Sequence, residues 1–133
     1  MIPSFIQNVF HNEKFKITGD GKQIRHYIYI DDVIQAIETI FHKGKNKMIY
    51  NIGTNDELNI LDIAKQILEK IQPDKKFEDT ITFIKPRSFI EKRYAIATNA
   101  AIKSLGWNAQ VSFDQGLDKT IQWFQQNPNY WNE

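Results

Sequence analysis

The residues best equipped for chemistry in this chain lie between Gly19 and Asp32, in the stretch GDGKQIRHYIYIDD. Gly19 and Gly21 flank Asp20, a composition suited to a tight turn or to backbone with φ > 0. Arg25 follows closely. Its guanidinium is permanently charged and offers a planar fork of donors, a shape that pairs with two adjacent phosphates. Tyr27, Ile28, Tyr29 and Ile30 then predict a strand by branching and aromaticity. Asp31 or Asp32 is placed to cap a helix beginning at Val33. On composition alone the same stretch also reads as a surface turn, a strand with a solvated arginine and an ordinary cap.

Other chemistry is limited by what the chain contains. There is no cysteine, which excludes disulfides, thiolate metal sites and cysteine nucleophiles together and biases the expected location to the cytoplasm. His11, His26 and His42 have no paired helical spacing, so no histidine metal site is expected. Seventeen basic and sixteen acidic residues leave a net charge of +1, too small an excess for a dedicated nucleic-acid binder. No apolar run is long enough to span a bilayer. At 133 residues with 41% hydrophobic content, the expectation is one ordered domain with a core.

The elements that must position Arg25 follow from periodicity. Ile2, Phe5, Ile6, Val9 and Phe10 predict an amphipathic helix over residues 2–12, with Pro3 in its tolerant first turn. Phe15 to Thr18 predicts a short strand. Val33, Ile34, Ile37, Ile40 and Phe41 predict a helix to about Lys43, closed by Gly44. Met48 to Ile52 is nearly continuously apolar, the pattern of a strand covered on both faces as in a parallel sheet. Thr54 to Asn59 reads as a polar loop, with Asn59 capping a helix that Pro73 stops. Thr80 to Ile84 predicts a strand leaving through Lys85, Pro86 and Arg87. Arg93 to Ile96 predicts a short extended piece, Asn99 to Leu105 a helix closed by Gly106, with Trp107 as an anchor behind it, and Phe113 to Gln126 the final helix.

Four segments together resemble nucleotide-sugar 4,6-dehydratases of the extended short-chain dehydrogenase/reductase family. GDGKQIRHYIYIDD is similar to their GxGxQxRDWLYVxD segment. IYNIGTNDELNILDIAKQI, residues 49–67, is similar to YNIGxxxExxN. FIKPRSFIEKRYAI, residues 83–96, is similar to RPxxDxRYxI, and LGWNAQVSFDQGLDKTIQWFQQNPNYW to their LGWxPxxxxxxGLxxTxxWYxxNxxWW ending. The resemblance covers nearly the whole chain. It falls on the C-terminal portion of dTDP-glucose 4,6-dehydratases and of the UDP-glucose 4,6-dehydratase domains of rhamnose synthases. The chain has no GxxGxxG turn after a strand and no YxxxK pair, so the Rossmann domain with its NAD pocket and catalytic residues is absent from it.

The resemblance implies an α/β fold: the small substrate-binding lobe of an extended short-chain dehydrogenase/reductase, helices with a few short strands, spanning residues 1–133. It implies that residues 33–53 return to the missing Rossmann sheet, leaving an apolar patch prone to self-association in the isolated chain. The implied function is binding of a UDP- or dTDP-glucose by part of an NAD-dependent dehydratase of deoxysugar, rhamnose-type biosynthesis. In that reaction C4 is oxidised with NAD as acceptor, water leaves across C5 and C6, and hydride returns to C6. The chain alone is expected to be inactive and to bind no cofactor. Arg25 and Arg87 match arginines that contact the nucleotide diphosphate, and Asn59 matches an asparagine near the nucleotide. Arg93 and Tyr94 match a pair read as holding the Arg87 loop, with Glu91 in place of an aspartate. Lys16, Thr18, Ser88, Phe89 and Ile90 depart from the family pattern around the base, so the diphosphate grip is better defined than UDP against dTDP. Two alternatives stand beside this reading: the matching lobe of a nucleotide-sugar epimerase, and a non-catalytic interaction module that keeps the fold.

Overall fold

The computed structural model describes residues 1–86 and 99–132. Three helices and one strand enclose the main core. Helix α1 (Ile2–Phe10) turns Phe5, Ile6 and Val9 inward at the spacing its sequence predicts, and Pro3 falls within its first turn, where no intrahelical N–H bond is lost. Helix α3 (Ile60–Ile71) buries Ile63, Ala64, Ile67 and Leu68, and α5 (Phe113–Gln126) buries Leu117, Ile121 and Phe124. Strand β1 (Phe15–Thr18) contributes Phe15 and Ile17, both fully buried. Each such side chain contributes about 1.5–3 kcal/mol of burial free energy, so this cluster dominates the stability of the lobe.

The sheets are small. Strand β1 pairs in parallel with β4 (Ile81–Ile84), Phe15 against Ile81 through Thr18 against Ile84. Strand β2 (Ile24–His26) pairs antiparallel with β3 (Glu57–Asn59). This differs from the sequence reading in two places. The strand expected over Tyr27–Ile30 lies earlier, and part of the polar segment expected to be a loop forms β3. The polar residues Arg25, His26, Glu57 and Asn59 gave no alternating pattern, and it is their mutual ladder that makes them strands.

Helix α2 (Ile30–Lys43) begins earlier than expected, with Tyr29 as its N-cap and no side-chain cap. Asp31 and Asp32 lie in the first turn, and neither caps the helix. Asp32 reaches instead across the fold. Its side chain is fully buried and accepts the backbone N–H of Gln110 at 2.9 Å and of Val111 at 3.0 Å, while Trp107 Nε1 donates to its backbone carbonyl at 3.2 Å. Trp107 is indeed an anchor: with Ala36 and Ile102 it forms a second small core, flanked by Ile28, Ile40, Tyr50 and Ile52. Ile102 lies on α4 (Ala100–Lys103), shorter than the helix expected to Leu105, and Gly106 follows with φ 91°. Gly44 closes α2 in extended conformation, so its left-handed freedom is not used there.

Met48–Ile52 forms no strand with the described residues. Its first two apolar side chains stand in the open instead, Met48 at 53% and Ile49 at 84% exposure, while Tyr50 and Ile52 pack against the second core. Beside them, α2 presents Ile30, Ile34, Ile37 and Phe41 to solvent, Phe41 at 83%. Positions 30, 34, 37 and 41 share one face of a helix, so this is a continuous apolar stripe.

Candidate functional site

The turn at Gly19–Gly21 sets the site's frame. Gly19 and Gly21 take φ of 67° and 71°, as their identity predicts. A Cβ on Gly21 would stand 2.6 Å from Leu61 Cγ and 2.8 Å from Ile17 Cγ2, so this position also needs the missing side chain for packing. Asp20 Oδ1 accepts from Lys22 N at 3.0 Å, closing the turn locally. Gly19 N donates to Ile84 O at 3.0 Å, which carries the β1–β4 ladder one step further. The carboxyl ends of two parallel strands and the 19–21 turn therefore lie together, and β4 leaves from this end toward Lys85 and Pro86.

Helix α3 points its N-terminus at the same turn, but its free amides are already used. Ile60 N and Leu61 N both donate to Gly21 O, and Asp62 N donates to Asn59 Oδ1 at 2.8 Å. The cap expected of Asn59 is present. Its Nδ2 donates to the Asp62 carboxylate as well, so both ends of the amide are engaged by α3. Asn59 follows Glu57 by two residues where the family segment spaces its asparagine by three.

Arg25 is the half-buried cation of this region, in the middle of β2 and opposite Leu58 on β3. Its Nη1 donates to Ile24 O at 2.7 Å, which folds the guanidinium back along its own strand. Strand alternation puts Arg25 and Asn59 on opposite faces of the β2–β3 ladder, since Asn59 pairs with Ile24. The structure thus brings the two residues onto one short ladder without aiming them at one point. Arg87 lies outside the described residues, as do Ser88, Phe89, Ile90, Glu91, Arg93 and Tyr94.

Residues that sequence reasoning passed over complete the surroundings. Gln23 is buried, and its Nε2 donates to Thr18 O at 2.7 Å, bracing the end of β1 against the start of β2. The glutamine of the GxGxQxR pattern was the available signal. His26 Nδ1 stands 3.2 Å from Thr54 O, and Thr54 Oγ1 donates to Tyr27 O at 2.9 Å. Burial pushes the Tyr27 phenol above its ordinary value, and the nearby Arg25 charge pulls the other way. Among the described residues no three His, Asp or Glu side chains gather as metal ligands, and no helix is long and apolar enough to cross a membrane.

The arrangement sets one guanidinium, folded back on Ile24 O, in a three-residue ladder that follows the glycine turn in the chain. Comparison with known proteins gives the setting. The chain is 37% identical over 133 residues to a trifunctional UDP-glucose 4,6-dehydratase, 3,5-epimerase and reductase of Arabidopsis thaliana, covering all of this chain and 19% of that one. It superposes on a dTDP-glucose 4,6-dehydratase of Streptomyces venezuelae, solved with NAD and TYD bound, with a TM-score of 0.88 at 27% identity, over 98% of this chain and 39% of that one. A UDP-glucose 4-epimerase of Thermotoga maritima, solved with UDP-glucose, gives a TM-score of 0.84 at 29% identity, over 96% of this chain and 40% of that one. The chain therefore spans about a fifth to two fifths of the length of these relatives, and its fold is that of a lobe of the extended short-chain dehydrogenase/reductase architecture. The model of the GDP-mannose 4,6 dehydratase family matches residues 1–120, and the chain belongs to that family.

Proposed function

We propose that this chain is the nucleotide-sugar-binding part of an NAD-dependent dTDP-glucose or UDP-glucose 4,6-dehydratase of deoxysugar biosynthesis. The observation that carries the proposal is Arg25, a half-buried guanidinium on the β2–β3 ladder beside the 19–21 turn, in a lobe shaped like that of a dTDP-glucose 4,6-dehydratase. Its part is grip: the fork holds the diphosphate, and binding energy gained there positions a sugar whose chemistry happens elsewhere. Arg87 is proposed to share the diphosphate. Asn59 caps α3, and its proposed contact with the nucleotide would be made from that cap.

NAD is held, on this reading, by a Rossmann domain outside these residues, since no dinucleotide fingerprint or YxxxK pair occurs here. The exposed stripe of α2 and the apolar Met48–Ile52 segment support the companion proposal that residues 33–53 pack against that domain. An epimerase lobe is the second reading, favoured by the similar superposition on the Thermotoga enzyme; the dehydratase sequences that match the chain at 36–37% identity over its whole length, and the higher TM-score of the Streptomyces dehydratase, rank it second. Titration calorimetry of the chain with UDP-glucose, dTDP-glucose and glucose tests the main proposal. Binding of the two nucleotide sugars and not of glucose is expected, and equal indifference to all three from a folded chain contradicts it.

A further inference from the structure

We infer that His26 is a positioning residue for Arg25: held as the Nδ1–H tautomer, it ties the end of β2 to Thr54 and so fixes where the neighbouring guanidinium stands. The inference rests on the proposed role of Arg25 and goes beyond it. The β2–β3 ladder is three residues long on each side and ends at the His26–Glu57 pair. A ladder so short frays easily unless its end is held. Two side-chain bonds hold it. Thr54 Oγ1 donates to Tyr27 O at 2.9 Å, and His26 Nδ1 lies 3.2 Å from Thr54 O. A carbonyl oxygen only accepts, so the shared proton belongs to Nδ1. Residues 26 and 27 are thereby stapled to residue 54 in both directions.

The other ring nitrogen agrees with this assignment. The His26 side chain is 9% exposed, and its Nε2 is buried without a hydrogen bond. It faces Glu57 Oε1 at 3.7 Å, longer than a hydrogen bond, so Glu57 does not take over the orienting role. The family segment has an aspartate where His26 stands. An ionised aspartate accepts only and could not donate to the Thr54 carbonyl, so this tie distinguishes the present chain from the family pattern.

Asparagine separates positioning from mere bulk, because its Nδ2 can occupy nearly the place of histidine Nδ1. Three forms of the chain are compared, native, His26→Asn and His26→Ala, by ring and Arg25 side-chain nitrogen NMR and by calorimetry with UDP-glucose and dTDP-glucose. Native His26 should show a protonated Nδ1 and a bare Nε2. His26→Ala should move the Arg25 Nε–H resonance and weaken nucleotide-sugar binding about fivefold, because a guanidinium no longer held in place must be ordered when the ligand binds, while His26→Asn keeps both near native. A proton on Nε2 with Nδ1 bare, or an Arg25 resonance unmoved in His26→Ala, overturns the inference. If the native chain binds neither sugar, the functional proposal fails, and the tautomer and the Arg25 resonance still decide the role of His26.

Discussion

Replacing Asp32 is the sharpest structural perturbation available in this fold. The carboxylate is fully buried and accepts two backbone N–H groups, from Gln110 and Val111, at 2.9 and 3.0 Å. Those amides belong to a segment that closes over the second core after Trp107, and Asp32 is their acceptor. Removing the acceptor in Asp32→Ala strands both donors, and at about 1–1.5 kcal/mol for each partly buried N–H the loss comes to about 3 kcal/mol with the lost packing. Asp32→Asn keeps one acceptor oxygen and turns an NH2 toward the other amide, for a loss of about 2 kcal/mol. In a domain of this size these values correspond to falls in Tm of roughly 10 °C and 7 °C. Thermal unfolding followed by circular dichroism measures them. Hydrogen exchange locates them: the Gln110 and Val111 amides should be protected in the native chain and exchange quickly in Asp32→Ala. If Asp32→Asn unfolds within about 1 °C of native, or those amides stay protected in Asp32→Ala, then the reasoning that this carboxylate latches the 107–111 segment is wrong.

Three further outcomes follow from particular side chains. Gly21→Ala should lose about 2–3 kcal/mol, because a methyl at φ 71° meets Leu61 and Ile17 at well under contact distance; denaturant unfolding reads this. Substituting Ile37 and Phe41 together by serine should leave the unfolding midpoint within about 1 °C, since both are already in solvent, while reducing self-association in sedimentation velocity. At high pH the chain should lose stability: Lys70 bridges Asp114 and Asp118 at 2.7 Å each, and those bonds raise its pKa above the ordinary lysine value. A folded-state pKa raised above the unfolded one gives stabilisation that is complete below the unfolded value, near 10.4, and is lost as pH rises through the folded one. Raised Tyr27 acts in the same sense above about pH 10. Lys70→Met should flatten this alkaline fall, as measured by midpoints between about pH 9 and 11.

The parts of the fold that were legible in the sequence are those in which one element buries one face. Helices α1, α3 and α5 were visible from their apolar spacing, the cap at Asn59 from the residue type before that spacing begins, and the 19–21 turn from its glycines. The capping box of Ser112 and Gln115, with both reciprocal bonds formed, was written in the sequence as S-x-x-Q and was passed over. Asp32 was misread for a different reason. An aspartate before a helical run is locally a cap, and its actual partners lie 78 and 79 residues away, where no local pattern can point. Strand β3 was hidden for the same reason, because Glu57, Leu58 and Asn59 are a strand only by virtue of Ile24, Arg25 and His26 opposite them. The Met48–Ile52 segment has the composition of a covered strand and no strand partner among the described residues, which agrees with its proposed place against another domain. Of the candidate site, Arg25 stood out by its charge beside a glycine turn, whereas the tie between His26 and Thr54, which lie in two separate segments, emerges from the geometry alone.

Arg25 is proposed to grip a nucleotide diphosphate. Calorimetry of UDP-glucose and dTDP-glucose against the native chain, Arg25→Lys and Arg25→Ala tests it most directly. Alanine should weaken binding about tenfold or more and lysine should recover only part of it, because a point charge cannot replace the bidentate fork. Equal affinity in all three forms would return Arg25 to the role of a surface charge, worth well under about 1 kcal/mol, and would contradict the proposed grip.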